Sequence, residues 1–182
     1  MNRSILFGIV VCAGPVGQAY GQGLGWTIRA GGAFPGGTDV RNTFQNTGLL
    51  VGVGVDFPID TAPFQLHPSV DIDFYRLEGN GNHVDSYSAC FDVRMRLTSG
   101  GSFQPYIGAG AGVFHRMLTT GDNTAGGIEP NARINETSPG GKLIAGIMFD
   151  SRFSIEADYR MMTEGIGGAN TNSLTVSLGY RF

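Results

Sequence analysis

His67 and Ser69 stand two residues apart in the run 67-HPS-69, which on an extended chain turns an imidazole and a hydroxyl to the same side. A base beside a hydroxyl is the beginning of acyl-transfer chemistry. A working nucleophile also needs its base within reach and a third group to orient that base, which this spacing does not supply. Glu156, Asp158 and Arg160 follow one another at i, i+2 and i+4. That places two carboxylates and a guanidinium on one strand face, which suits a packed charge network better than acid–base catalysis. His83 reads as a loop residue and His115, next to Arg116, as an outer-rim residue. With Cys90 these scattered histidines make no metal-ligand spacing. The run 108-GAGAG-112 continues a strand pattern and opens no helix, so it is not a phosphate cradle. No catalytic residue, cofactor or metal is expected.

The elements that must carry these residues are strands, because the chain alternates with period two far more than with period 3.6. Leu174, Val176, Leu178, Tyr180 and Phe182 share one face, and Ser173, Thr175, Ser177, Gly179 and Arg181 the other. Segments 153–161 and 86–97 repeat the pattern, and five less regular ones lie at 26–31, 49–57, 69–75, 107–113 and 142–149. The sum is eight strands, an even number, as single-chain bacterial barrels have. The connections 58–65, 99–102 and 150–152 read as tight turns. Those at 35–46, 119–139 and 163–172 read as longer polar loops, with a short one at 78–82. With the amino terminus in the periplasm, the turns face inward and the loops outward.

The polar face of these strands carries six acids, Asp56, Asp71, Asp73, Asp92, Glu156 and Asp158, and six bases, Arg29, Arg94, Arg96, Lys142, Arg160 and Arg181. The loops and turns therefore carry the net charge of −3. In a narrow barrel these twelve would point into the lumen, where a charge is tolerable only if paired. Glycine supports that placement. The chain has 30 among 182 residues, more than twice the average usage of about 7%. Gly52, Gly54, Gly108, Gly110, Gly112, Gly146 and Gly179 all fall on the charged face, where an eight-stranded interior has little room. The apolar face carries rings near strand ends, among them Trp26, Phe57, Phe74, Tyr87, Phe149, Phe153 and Tyr159, as suits a membrane interface.

Length allows one domain of ordinary size. The acidic balance excludes a nucleic-acid role, since no basic patch neutralises phosphates. Residues 1–19 read as a cleavable secretory signal, with Arg3, the apolar stretch Ile5 to Ala13, and Gly17-Gln18-Ala19 as the cleavage site. Cys12 follows Val11, a poor context for a lipid-modified cysteine. Cleavage leaves Cys90 alone, so no intramolecular disulfide forms in residues 20–182, the barrel domain.

The last strand, 174-LTVSLGYRF-182, resembles the C-terminal signature of outer-membrane barrels, with Tyr180 and Phe182 at the two aromatic positions that the assembly machinery recognises in that family. The segments 104-QPYIGAGAGVFHR-116 and 153-FSIEADYRM-161 are similar to strands of small OmpA-like and opacity-type barrels. The resemblance covers the chain after the signal and implies an all-β, eight-stranded antiparallel transmembrane up-and-down β-barrel in the bacterial outer membrane. It also implies a stand-alone barrel that serves adhesion, surface defence or envelope integrity. Its partners would be outer-membrane lipids, the barrel assembly machinery and an external ligand at the surface loops, above all 119–139. The His-x-Ser at 67–69 resembles that of outer-membrane lipid A deacylases, but it falls at the periplasmic end, away from the outer leaflet. The reading is a non-enzymatic barrel with a salt-bridged, filled lumen. Two rivals are a small-solute, porin-like channel and a soluble exported lipid-binding barrel.

Overall fold

The computed structural model describes residues 24–36, 47–57, 59–61, 64–79, 81–97, 101–121, 130–166 and 171–182. Residues 1–19, read as a signal, lie outside them, as do 37–46, 122–129 and 167–170 of the three expected long loops. Nine strands follow in order: β1 (Gly25–Pro35), β2 (Gly48–Asp56), β3 (Ile59–Thr61), β4 (Phe64–Gly79), β5 (Asn82–Arg96), β6 (Phe103–Thr119), β7 (Arg133–Phe149), β8 (Phe153–Met162) and β9 (Ser173–Arg181). β2 and β3 are one stave with a break: both pair with β4, and the Phe57 amide donates to the Pro68 carbonyl between them at 2.8 Å. Each stave pairs antiparallel with its sequence neighbour, and β1 closes the ring on β9. The result is a closed, eight-stave, up-and-down barrel in which the described strands have no helical interruption.

The alternation has one sense around the ring. Leu178 is 65% exposed and Ile72 57%, whereas Glu156 is 3% exposed and Arg160 1%. Apolar side chains therefore face outward and charges inward, the reverse of a water-soluble sandwich. A soluble lipid carrier needs an apolar lumen beneath a wet exterior, so that rival is overturned. At the turn end the outward rings meet in pairs, Phe103 with Phe149, Phe153 with Tyr180, and Tyr180 with Phe182 at 4.9 Å. At the loop end Phe74 and Tyr87 do the same. About ten residues per stave lie between, the length that crosses a hydrocarbon core when tilted.

Three expected connections are shorter than the sequence reading. The turn at 58–65 is mostly ladder, since Ile59 to Thr61 pair with Leu66 to Phe64. The loop at 78–82 is a tight hairpin, with Gly79 opposite Asn82 and Gly81 at φ 79°, a conformation glycine adopts without penalty. The loop at 119–139 loses Arg133 to Pro139, which pair with Thr119 to Val113. β6 and β7 therefore run to 17 residues each. Beyond Tyr87 the four strands β4 to β7 invert their pattern. Outward positions become Arg76, Asp85, Thr137 and Arg133, while inward positions become Leu77, Val84, Leu118 and Ile134. This upper part packs as an apolar plug of Ala33, Leu50, Tyr75, Leu77, Val84, Leu118 and Ile166, with Ile134 and Met162 against it.

Candidate functional site

The lumen is the part of the barrel where chemistry-bearing side chains converge. Arg29 from β1 sits at its centre, 2.9 Å from Asp71, 2.8 Å from Asp73 and 2.8 Å from Glu156. Arg94 from β5 is 2.7 Å from Asp71 and forks onto Glu156, with Nε at 2.8 Å from Oε2 and Nη2 at 3.1 Å from Oε1. Lys142 from β7 lies 2.6 Å from Asp92 and 3.1 Å from Asp71. Arg160 from β8 reaches Asp73 at 2.9 Å and Asp158 at 3.3 Å, and stacks over the Tyr75 ring. Nearer the turn end Arg181 pairs with Asp56 at 2.9 Å. Arg96 lies there too, donating to Gln65 Oε1 at 3.2 Å and to Met148 Sδ. All twelve charges singled out from the sequence thus face the lumen, brought together from β1, β2, β4, β5, β7, β8 and β9.

The register explains why so many long side chains fit. Arg29 stands between Gly52 and Gly179 on its two neighbouring strands. Asp71 faces Gly54, Asp73 faces Gly52, Arg94 faces Gly108 and Glu156 faces Gly146. Gly110 lies between Asp92 and Lys142. A Cβ on Gly110 would come within 2.8 Å of the Asp92 carboxyl carbon, and one on Gly108 within 3.2 Å of Arg94 Cγ. The glycines sit in regular ladder; Gly52, Gly54, Gly108 and Gly110 empty the space that a neighbouring charge fills, and Gly146 the space that the Tyr106 ring fills.

Several lumen residues carry no mark in the charge count. Tyr106 donates to Glu156 Oε2 at 3.0 Å. Ser69 bonds the Arg94 guanidinium. Arg116, the neighbour of the rim residue His115, is fully buried inside the barrel. It donates to Ser138 Oγ at 2.9 Å, to the Glu164 carbonyl at 2.9 Å and to Thr171. Parity is the signal that places it: Arg116 and Tyr106 share the phase of Gly108, Gly110 and Gly112. His67 is buried on the lumen face at the turn end, with the Ser69 hydroxyl turned to Arg94 rather than to a base. Nearby, a cavity of about 40 Å³ opens between Thr27, His67, Arg94, Arg96, Tyr106 and Glu156. At roughly 10–15 Å³ per water it has room for about three. His115 faces outward beside the Tyr87 ring, bonded to Thr137 at 2.8 Å. Among the described residues no cluster of His, Cys, Asp and Glu has the geometry to hold a metal.

A closed antiparallel barrel with an apolar exterior, ring-lined rims and a charged interior is the architecture of a bacterial outer-membrane protein. Residues 18–182 match the outer membrane protein beta-barrel domain, and the chain belongs to that family. The fold is similar to that of Neisserial surface protein A, with a TM-score of 0.54 at 13% identity over 87% of this chain and 94% of that one. It is also similar to the N-terminal barrel domain of Pseudomonas aeruginosa OprF, with a TM-score of 0.48 at 16% identity over 87% and 97%. The outer membrane enzyme PagL gives a TM-score of 0.47 at 19% identity over 87% and 98%. No curated protein matches the sequence.

Proposed function

We propose that this protein is a non-enzymatic outer-membrane barrel whose lumen is a closed structural core and whose work is done at its outward-facing end, in surface recognition or envelope integrity. The observation that carries the reading is the ion-pair layer across the lumen. Four bases, Arg29, Arg94, Lys142 and Arg160, contact five acids there, all within 4 Å. A solute crossing the barrel would have to separate those buried pairs, each break leaving an uncompensated charge at a cost of about 3–5 kcal/mol. The apolar plug above the layer adds a second barrier. Against an acyl-transfer role stands the Ser69 hydroxyl, which is engaged with Arg94 inside the barrel, away from the lipid-facing wall. The partners on this reading are outer-membrane lipids, the assembly machinery acting on Tyr180 and Phe182 after removal of residues 1–19, and an external ligand at the loop end.

The test is a single-channel recording on the purified barrel in a planar bilayer, paired with a gel-mobility comparison of heated and unheated samples. The expected result is a heat-dependent shift with no stable conductance step. A stable step that disappears in Arg94→Met would overturn the closed lumen and establish the small-solute channel.

A further inference from the structure

Beneath the ion-pair layer lies a polar space, the cavity of about 40 Å³ at the turn end of the lumen. His67 projects into it from β4 and is only 6% exposed. Its imidazole makes no hydrogen bond to any of the described residues. The Ser154 hydroxyl on β8 lines the same space and likewise has no hydrogen-bond partner among the described residues. Buried polar groups in native folds have partners, and a group that faces a cavity takes its partner from what the cavity holds. Arg96 on β5 brings a guanidinium to the same lining, steadied by Gln65 Oε1 and Met148 Sδ. The charges gathered around the imidazole are all positive: Arg96, Arg181 from β9, and Arg94, which stands directly across the β4–β5 ladder. The acids that also line the space are already covered. Glu156 accepts from Arg94, Arg29 and Tyr106, Asp71 is held by Arg29, Arg94 and Lys142, and Asp56 by Arg181 and Thr27. What the space offers a ligand is therefore N–H and O–H donors beside guanidinium charge.

We propose that the turn end of the lumen is a binding site for one small oxyanion of the phosphate class, taken from the periplasm. His67 donates an N–H, Ser154 an O–H, and Arg96 the charged fork that suits an oxyanion. Size restricts the ligand further. Three waters fill roughly 90 Å³ of liquid, room for a single tetrahedral oxyanion and for nothing that carries an acyl chain. The phosphate of a lipid headgroup has the same oxygens but is tethered outside the wall. The ion-pair layer and the apolar plug close the space from above, so the anion enters and leaves through the turn end. The site is thus independent of whatever binds at the outward loops.

The experiment titrates inorganic phosphate into the purified barrel in an uncharged detergent, followed by calorimetry. Ionic strength is held fixed with a salt whose organic anion is too bulky for the cavity. Ser154→Ala removes the hydroxyl and His67→Phe the imidazole. Arg152→Gln removes an exposed guanidinium at the neighbouring turn and serves as the control for binding at the rim. The heat-dependent gel shift checks that each variant is folded. The expected result is one phosphate bound per barrel in the millimolar range. His67→Phe should abolish that binding, and Ser154→Ala should weaken it about tenfold, the order of one lost hydrogen bond to a charged group. Arg152→Gln should leave it unchanged. Should His67→Phe fail the gel shift, Ser154→Ala decides the question by the same comparison. The site would be overturned by the absence of saturable heat, by binding that the lumen variants leave unmoved, or by binding that Arg152→Gln weakens as much as they do.

Discussion

Replacing Arg94 by methionine removes a guanidinium of similar length from the middle of the ion-pair layer and leaves its acids in place. The Arg94 side chain is 13% exposed, and its two closest acids, Asp71 and Glu156, are 3% exposed each. Solvent screening is therefore small. Breaking one partner out of such a buried pair costs about 3–5 kcal/mol. Glu156 keeps Arg29 at 2.8 Å and the Tyr106 hydroxyl at 3.0 Å, and Asp71 keeps Arg29 and Lys142. Those remaining partners put the loss at the lower end, about 3 kcal/mol. With a urea slope of about 1–3 kcal/mol/M, the unfolding midpoint should fall by about 1–3 M. The assay is urea unfolding in lipid vesicles followed by emission of Trp26, the single tryptophan, which faces outward near the turn end. Gel mobility gives an independent count of folded barrel. Pairing the change with Glu156→Gln should recover about 1 kcal/mol or more, since the charge left behind is then neutral. An unchanged midpoint would mean that water entering from the adjacent cavity solvates Glu156, and the closed-core argument would fail.

Three further outcomes are expected. Deleting Phe182, which is 71% exposed at the barrel rim beside Tyr180, should abolish accumulation in the outer membrane, as read by fractionation. Gly112→Val should destabilise the barrel by about 1–3 kcal/mol in the same urea assay. A Cβ there would lie 2.7 Å from Cys90 Sγ and an equal distance from the Cys90 Cα, which has no freedom to move. Cys90 is 2% exposed, so it should stay unreactive toward a thiol reagent in the folded barrel and react once urea passes the midpoint; titration of free thiol against urea checks this.

The eight staves are legible in the sequence because lipid imposes one rule on every strand that crosses it: apolar outward, anything else inward. The phase of Glu156, Asp158 and Arg160 against Ile155, Ala157 and Tyr159 is enough to put the charges in the lumen. Which acid meets which base is not legible. Arg29 and Glu156 are 127 residues apart, and they meet only through the stagger of a closed ring. The glycines could be placed on the charged face, but not their opposite numbers, which need the register: six of the seven stand opposite a charge, and Gly112 stands opposite Cys90. The upper strands are not legible because the rule changes there. In Arg133 to Ser138 the inward Ile134 keeps the parity of Lys142, so a reading that takes apolar as outward sees no strand.

That change of rule has a mechanical consequence. On β4 the outward row runs Val70, Ile72, Phe74 and then Arg76 and Glu78, with Arg76 locked to Asp85 of β5 at 2.6 and 2.8 Å. Sliding the barrel two residues into the bilayer, about 6.6 Å along a strand, would carry that pair toward hydrocarbon. An arginine there costs up to about 2–4 kcal/mol by the time it reaches the midplane. Sliding the other way would lift Trp26, Phe103, Phe153 and Phe182 out of their interface. The molecule thus carries its own waterline, drawn between Phe74 and Arg76, and rides at one draught whatever its loops are holding.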